Sequence, residues 1–236
     1  MGFIRALIVL HAVYRKRRLR DRVHILLRFL TSPMLRVLDA VPAGASLLDI
    51  GAGHGLFAAL AQTRVVPPLG PRASRPRVPG RILLNRARET RAVPGRRVVA
   101  VEPDLRKVRP IAGVEFVIGF DDVIAGNFDA ISIIDVLYKI PIDEWDALLT
   151  RCHARLGPGG VLIVKEQDPT ARFKNGWNAI QERLATALHL TLGESFSYES
   201  PALFKARLER LGFVDVNTRR IDFGYPHPHV LHIARR

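Results

Sequence analysis

Cysteine is almost absent: Cys152 is the only one in 236 residues. A lone thiol excludes an intrachain disulfide and any cysteine-based metal cluster, and it fits a reducing, cytoplasmic setting. Cys152 falls in a helical stretch and reads as packing. A membrane-spanning run is also lacking. Phe3 to Val13 is apolar for about a dozen residues, broken by Arg5, whereas a spanning helix needs roughly 20. Arg15-Lys16-Arg17-Arg18 follows that run where a signal peptide would need small residues. Ala6 stands where N-myristoylation after Gly2 would need a hydroxyl side chain. No His, Cys, Asp or Glu cluster has metal-ligand spacing, so no metal is expected.

Acids are scarce too: 22 Asp and Glu face 36 Lys and Arg, for a net charge of +14. The excess is local. Residues 1–36 hold nine Lys/Arg and one acid, Asp21, and residues 64–97 hold ten Arg and one acid, Glu89. The remaining body is slightly acidic. Nucleic-acid binding by the whole domain is therefore not expected, and a basic appendage against an anionic surface fits the distribution better. Within 48% hydrophobic residues there is enough apolar material for one full core.

What is present centres on Ser46-Leu47-Leu48-Asp49-Ile50-Gly51-Ala52-Gly53-His54-Gly55. A short apolar strand ends in an acid, a glycine turn follows, and a helix begins at Leu56. That is the nucleotide-binding corner of an open α/β sheet. Gly51 and Gly53 allow positive φ and close approach of a ligand to the main chain. Pyrophosphate would repel the acid, so Asp49 suits a cationic ligand, an ammonium or a sulfonium. Asp49-x-Gly51-x-Gly53-x-Gly55 resembles motif I of the class I S-adenosylmethionine-dependent methyltransferases.

The rest of the chain follows an α/β alternation. Residues 2–30 read as one or two basic amphipathic helices. They either lie on a membrane surface or pack on the body and cover the substrate site. Ser32-Pro33 starts a helix through Val41. Residues 1–41 form a helical extension, and 42–236 the main domain. Residues 63–96, rich in Arg and Pro, interrupt the first αβ connection. They read as a surface insertion with a short helix near Ile82–Arg91. Arg97–Glu102 is the second strand, and Pro103-Asp104 starts a helix. Glu102 ends its strand where nucleotide folds keep a ribose-binding acid. That acid usually lies about 20 residues after the glycine turn, and the insertion accounts for the longer gap here. Val114–Ile118 is the third strand, followed by Asp121 and Asp122. Asn127–Asp135 contains the fourth strand, with Asp135 and Tyr138 at its carboxyl end. Asp143–Leu156 reads as a helix, Leu156-Gly157-Pro158-Gly159-Gly160 as a sharp turn, and Val161–Glu166 as the fifth strand. Residues 167–200 carry Phe173, Trp177, Ile180, Leu184 and Leu188 at helical spacing, a helical cover. A helix over Pro201–Leu211, ended by Gly212, precedes a hairpin of Phe213–Asp222 and His229–Ala234. His227 and His229 lie just before that last strand, and His227 is a candidate general base.

The resemblance extends over residues 40–166 and the closing hairpin. It implies a Rossmann-like, doubly wound, seven-stranded, mostly parallel sheet with a C-terminal antiparallel hairpin. It implies S-adenosylmethionine as cofactor, held by Asp49, Gly51, Ala52, Gly53, Gly55, Glu102, Asp121 and Asp135. Either Asp121 or Asp122 would take the adenine amine, Asp121 being the preferred one, and the other would cap the next turn. Asp135, Tyr138 and His227 are the candidate catalytic residues. The acceptor is expected to be a small or lipid-like molecule. Nucleic acid is not expected, since no Asn/Asp-Pro-Pro-Tyr motif is present. Peripheral membrane contact through residues 1–30 stays open, at the inner face of the membrane. Two other classes remain: an NAD(P)-dependent oxidoreductase of similar fold, which Asp49 disfavours, and a non-catalytic binding module.

Overall fold

A computed structural model describes residues 1–65, 81–84, 97–120, 126–170 and 197–236. The chain starts with two helices, α1 (Phe3–Tyr14) and α2 (Leu19–Thr31), and a short α3 (Met34–Leu38). Strand β1 (Leu47–Ile50) leads through the glycine turn into α4 (Leu56–Val65). There follow β2 (Arg81–Leu84), β3 (Val98–Glu102), β4 (Val114–Ile118) and β5 (Phe128–Ile134). Helix α5 (Trp145–Arg155), β6 (Leu156–Gln167), α6 (Pro201–Arg210), β7 (Val214–Arg220) and β8 (His229–Arg235) complete the described order.

The strands form one sheet in the order β2-β4-β3-β1-β5-β6-β8-β7. Its pairings from β2 through β6 are parallel, and β8 runs antiparallel to both β6 and β7. All seven expected strands are there. The central parallel strands β1, β3 and β5 are short, largely β-branched and aliphatic runs buried on both faces, as parallel strands require, whereas the edge strand β7 is polar and mostly exposed. The strand order reverses at β1, whose neighbours are β3 and β5. A crevice off the carboxyl ends of these three strands is the consequence.

Alternation along β1 assigns its side chains to two cores. Leu47 joins the apolar cluster shared with α1 to α4. Leu48 and Ile50 join the cluster under α5 and α6. Asp49, two residues after Leu47, therefore points to the α4 side. Helices α1 and α2 belong to that side: Ala6, Leu10, Tyr14, Ile25 and Phe29 are all buried in its core. Cys152 is buried in the other core.

Three local expectations are corrected. Arg81–Leu84 is an eighth, edge strand, parallel to β4, where a helix near Ile82–Arg91 was expected. The helix expected after β3 is a turn, capped where Asp104 Oδ1 accepts from the Arg106 N–H; Pro110 leaves too few residues for a helix. The Leu156–Gly160 turn is a bulge inside β6. Phe128 pairs with Leu156 and Ala130 with Val161, so residues 157–160 loop out of the ladder. The helical stripe from Phe173 to Leu188 lies outside the described residues.

Phe29 is 3% exposed and stacks on Phe3, with ring centroids 5.5 Å apart. Phe29→Ala is expected to cost about 3–5 kcal/mol in urea unfolding. It should also speed tryptic cleavage within the Arg15–Arg22 stretch. An unchanged midpoint would mean that α1 and α2 are not part of the cooperative core.

Candidate active site

The glycine turn is held by its backbone and by one acid. Gly51 has φ +69°, and a Cβ there would lie 2.5 Å from Val136 Cγ2. Only glycine lets the turn approach the loop after β5 so closely. Gly53 also has positive φ, +58°, but a Cβ there would meet nothing within 4 Å. Its face is open to the cleft. Glu102 closes the other side: its Oε2 accepts from the Gly53 N–H at 2.7 Å and its Oε1 from the Asp104 N–H at 3.1 Å. Lys107 Nζ stands 3.8 Å from the same carboxylate. Glu102 thus fastens the end of β3 to the turn, a positional task that spacing alone did not reveal. Spare lone pairs remain on both oxygens.

Asp49 is 2% exposed. Its Oδ1 accepts from the Ser132 hydroxyl at 2.7 Å, and its Oδ2 is buried without a hydrogen-bond partner. Burial pushes the carboxyl up to about 7, against the pull of Ser132 and Arg28 toward the charged form. Glu102 adds to the rise. A half-satisfied buried carboxylate at the mouth of a cleft is a receptor for a cation or a strong donor.

The cleft has a volume of about 870 Å³ and is lined by Asp49, the Gly51–His54 turn, Glu102, Asp135 and Tyr138. Seven of the candidate residues therefore meet: Asp49, Gly51, Ala52, Gly53, Glu102, Asp135 and Tyr138. Gly55 does not line it. At φ +77°, it packs where a Cβ would lie 2.6 Å from Phe116 Cζ. Its role is close packing of the helix start. Asp121 and Asp122 lie outside the described residues.

Asp135 is a non-glycine residue at φ +56°. That backbone costs on the order of 1 kcal/mol and needs support. Lys165, 0% exposed, donates to Asp135 Oδ1 at 2.5 Å. Arg28 of α2 reaches Asp135 Oδ2 at 3.5 Å and donates to the Ile134 carbonyl at 3.2 Å. Burial alone would raise Asp135, yet Lys165 and Arg28 outweigh it and hold the carboxyl below the usual range. Glu166 supports the next peptides, its Oε1 accepting from the Val136 and Leu137 N–H groups at 2.9 and 2.8 Å. Burial and the Asp135 charge raise Glu166 to about 8.

Tyr138 follows on the same loop and stacks on Tyr198, with centroids 6.2 Å apart and planes 4° apart. Burial, then the Asp135 charge, raises its phenol, so it stays protonated. His227 does not line the main cleft. It lines a smaller chamber of about 310 Å³ that shares His24, Arg28, Asp135 and Tyr138 with it. His229 lines that chamber too. Its Nε2–H donates to the Thr31 carbonyl at 3.1 Å, and its Nδ1 is buried without a partner. Burial and Lys165 lower it to about 4, so it is neutral at physiological pH. Among the described residues, no three His, Cys, Asp or Glu side chains group as metal ligands.

Sequence reasoning offered the N-terminal helices as a cover packed on the body but named none of their contacts. Tyr14 donates to the His54 carbonyl at 3.1 Å, and Arg17 donates to the Lys107 carbonyl at 2.9 Å. The hinge between α1 and α2 is thereby pinned to the glycine turn. No motif spacing signals these contacts.

A family model described as a methyltransferase domain matches residues 14–218. No match is found among curated proteins. Several solved structures share the fold. One is 1,6-didemethyltoxoflavin-N1-methyltransferase of Burkholderia thailandensis, with bound 1,6-didemethyltoxoflavin and S-adenosylhomocysteine. It is 15% identical with a TM-score of 0.59, over 100% of this chain and 91% of that one. Human N-acetylserotonin methyltransferase, in complex with S-adenosylmethionine, is 17% identical with a TM-score of 0.57. The match covers 97% of this chain and 59% of the human one, so this chain spans about three-fifths of that enzyme. The pyocyanin biosynthetic protein PhzM is 15% identical with a TM-score of 0.59, over 96% of this chain and 61% of that one.

Lys165→Met leaves the Asp135 charge buried without its main partner. It is expected to cost about 3–5 kcal/mol of stability in denaturant titration. Asp135→Asn in the same chain should recover part of that loss. Equal, additive losses in the double variant would show that the two groups are not coupled.

Proposed function

The chain belongs to the methyltransferase domain family, and from that membership we propose that it transfers the methyl group of S-adenosylmethionine to a small-molecule or lipid-like acceptor. The single observation that carries the reading is the orphaned Oδ2 of Asp49, buried beside an open, positive-φ glycine turn at the switch point of the sheet. A sulfonium-bearing amino acid nucleoside fits these residues. Asp49 would take the cationic amino acid end, the Gly51–Gly53 turn would lie along it, and Glu102 would accept from ribose hydroxyls. The cofactor supplies an electrophilic methyl group on a sulfur that is already a good leaving group. Asp121 is proposed for the adenine amine.

The rest of the site positions the acceptor. Asp135, held charged by Lys165 and Arg28, and Tyr138, held protonated, stand at the end of β5 where the main cleft meets the smaller chamber. Tyr138 can donate a hydrogen bond to an acceptor and is a poor base. His229, neutral and anchored on Thr31, is a poor base as well. Removal of a proton from a hydroxyl or ammonium acceptor falls to His227. Catalysis is then chiefly orientation of two reactants in a partly apolar cleft. Met34, Phe57, Ile134, Val136 and Leu148 line the cleft, which supports an apolar acceptor. The small-molecule acceptors in the toxoflavin and N-acetylserotonin enzymes' names agree in class.

The test is radiolabelled methyl transfer from S-adenosylmethionine into cell extracts, with the labelled product fractionated. Tight NADH binding with no response to S-adenosylhomocysteine would point to an oxidoreductase instead, and binding without any transfer to a non-catalytic module. Calorimetry with S-adenosylhomocysteine gives a second check. The ligand's ammonium needs the ionised Asp49, whose carboxyl sits at about 7. Affinity should be full above that pH and fall by about tenfold per unit below it. Asp49→Asn should weaken binding by roughly tenfold or more at pH 8 and flatten the pH dependence. Unchanged affinity in Asp49→Asn would remove the basis of the assignment.

A further inference from the structure

Each N-terminal helix carries a second apolar face that is largely exposed to solvent. In α2 the inward positions are Ile25 and Phe29. On its outer side stand Leu19, Val23, Leu26 and Leu30, at i, i+4, i+7 and i+11, exposed by 71, 47, 43 and 45%. In α1, Ile4 and Ile8 are 75 and 63% exposed. A groove of about 370 Å³ runs between the helices, lined by Leu7 and Leu10 of α1 and by Leu19, Val23 and Leu26 of α2. Arg15 and Arg22 stand at its edge. Around the hinge, Arg15, Lys16, Arg18, Arg20 and Arg22 are all exposed, and Asp21 is the one acid of residues 1–36.

Clustered exposed aliphatic side chains of this kind mark an interaction surface. The charges select its occupant. The same face of a second copy would bring the same cations and only Asp21 to set against them. An anionic bilayer supplies both complements at once, phosphates for the guanidinium groups and hydrocarbon for the leucines and isoleucines. We propose that α1 and α2 form a docking face for an anionic lipid surface. The helices lie in the interface plane, with Ile4, Ile8, Leu19, Val23, Leu26 and Leu30 toward the acyl region and the hinge cations at the headgroups. Among the described residues, no helix is long and apolar enough to cross a membrane, so the contact is peripheral. The inner stripe stays on the core, and docking requires no unfolding. The smaller chamber opens beside this face, because His24 and Leu27 of α2 line it. On the methyltransferase reading, an acceptor dissolved in the bilayer would have a short path to Asp135 and Tyr138; the docking itself does not depend on that reading.

Vesicle flotation of the full chain tests the proposal. Vesicles of equal parts phosphatidylcholine and phosphatidylglycerol should carry the protein, and vesicles of phosphatidylcholine alone should not. Arg15→Gln with Lys16→Gln and Arg18→Gln should lower the partition coefficient by about fivefold per charge removed at low salt. Val23→Glu with Leu26→Glu should abolish flotation while leaving S-adenosylhomocysteine affinity and melting temperature unchanged. Leu203→Glu, on exposed α6, is the control and should float as the parent does. Absence of the parent chain from anionic vesicles, or equal flotation of the Val23/Leu26 variant, would overturn the proposal. A doubled mass in light scattering that Val23→Glu with Leu26→Glu reduces to that of one chain would overturn it in favour of self-association.

Discussion

Asp49 sits near the end of a central strand, 2% exposed, with one oxygen on Ser132, the other without a full hydrogen bond, and the Ala58 N–H nearby. An unpaired buried polar atom costs about 1–3 kcal/mol, and a fold that only needed a strand end there would place an apolar residue. The neighbouring parts are arranged around this acid. Gly51 lets the turn pass within reach of Val136, Glu102 ties the turn to β3, and α2 lays Arg28 across the end of β5. The crevice exists because the strand order reverses at β1, and these contacts give it walls.

The second concentration of strain lies at Asp135. Its left-handed backbone is held by a fully buried lysine and an arginine from a helix 107 residues earlier. Replacing such a triad with apolar side chains would often be neutral for stability. The triad sits at the carboxyl end of β5, beside Tyr138 and in the shared wall of two cavities. The two carboxylates are pushed in opposite directions by their surroundings. Asp49 is raised by burial, while Asp135 is lowered by its cationic neighbours. Among the described residues, one carboxyl forms no ion pair with a cation, and the other already has two.

Of the two sequence readings of the N-terminal helices, the structure shows packing on the body. A basic amphipathic segment can cover a body or lie on a surface, and here opposite faces of α2 are available for each. Ile25 and Phe29 bury against the core, and Tyr14, Arg17 and Arg28 reach the glycine turn and β5. The outer leucines remain in solvent. A helical wheel with apolar residues on both sides does not reveal which side is inward, because that depends on what the sheet presents to it.

Local signals carried the strands and the glycine turn. Runs such as Leu47–Ile50, Val98–Glu102 and Val161–Glu166 are β-branched or aliphatic apart from acids and a lysine at or near their carboxyl ends, which favours strand conformation and burial on two faces. The acid–glycine spacing at Asp49–Gly53 and the acid ending at Glu102 are equally local, and the structure brings them within one hydrogen bond of each other. The edge strand at Arg81–Leu84 was not legible, since its pairing comes from β4 and its flanks are polar and proline-rich. Nor were the partners of the site. Arg28 with Asp135, Tyr14 with His54, and His229 with Thr31 are 107, 40 and 198 residues apart. Sequence determined which short segments form and where an acid sits against a glycine turn, because propensity and glycine conformation act within a few residues. Only the tertiary structure decided which charges face each other across the cleft and which apolar stripe stays in water, because both depend on contacts between elements far apart in the chain.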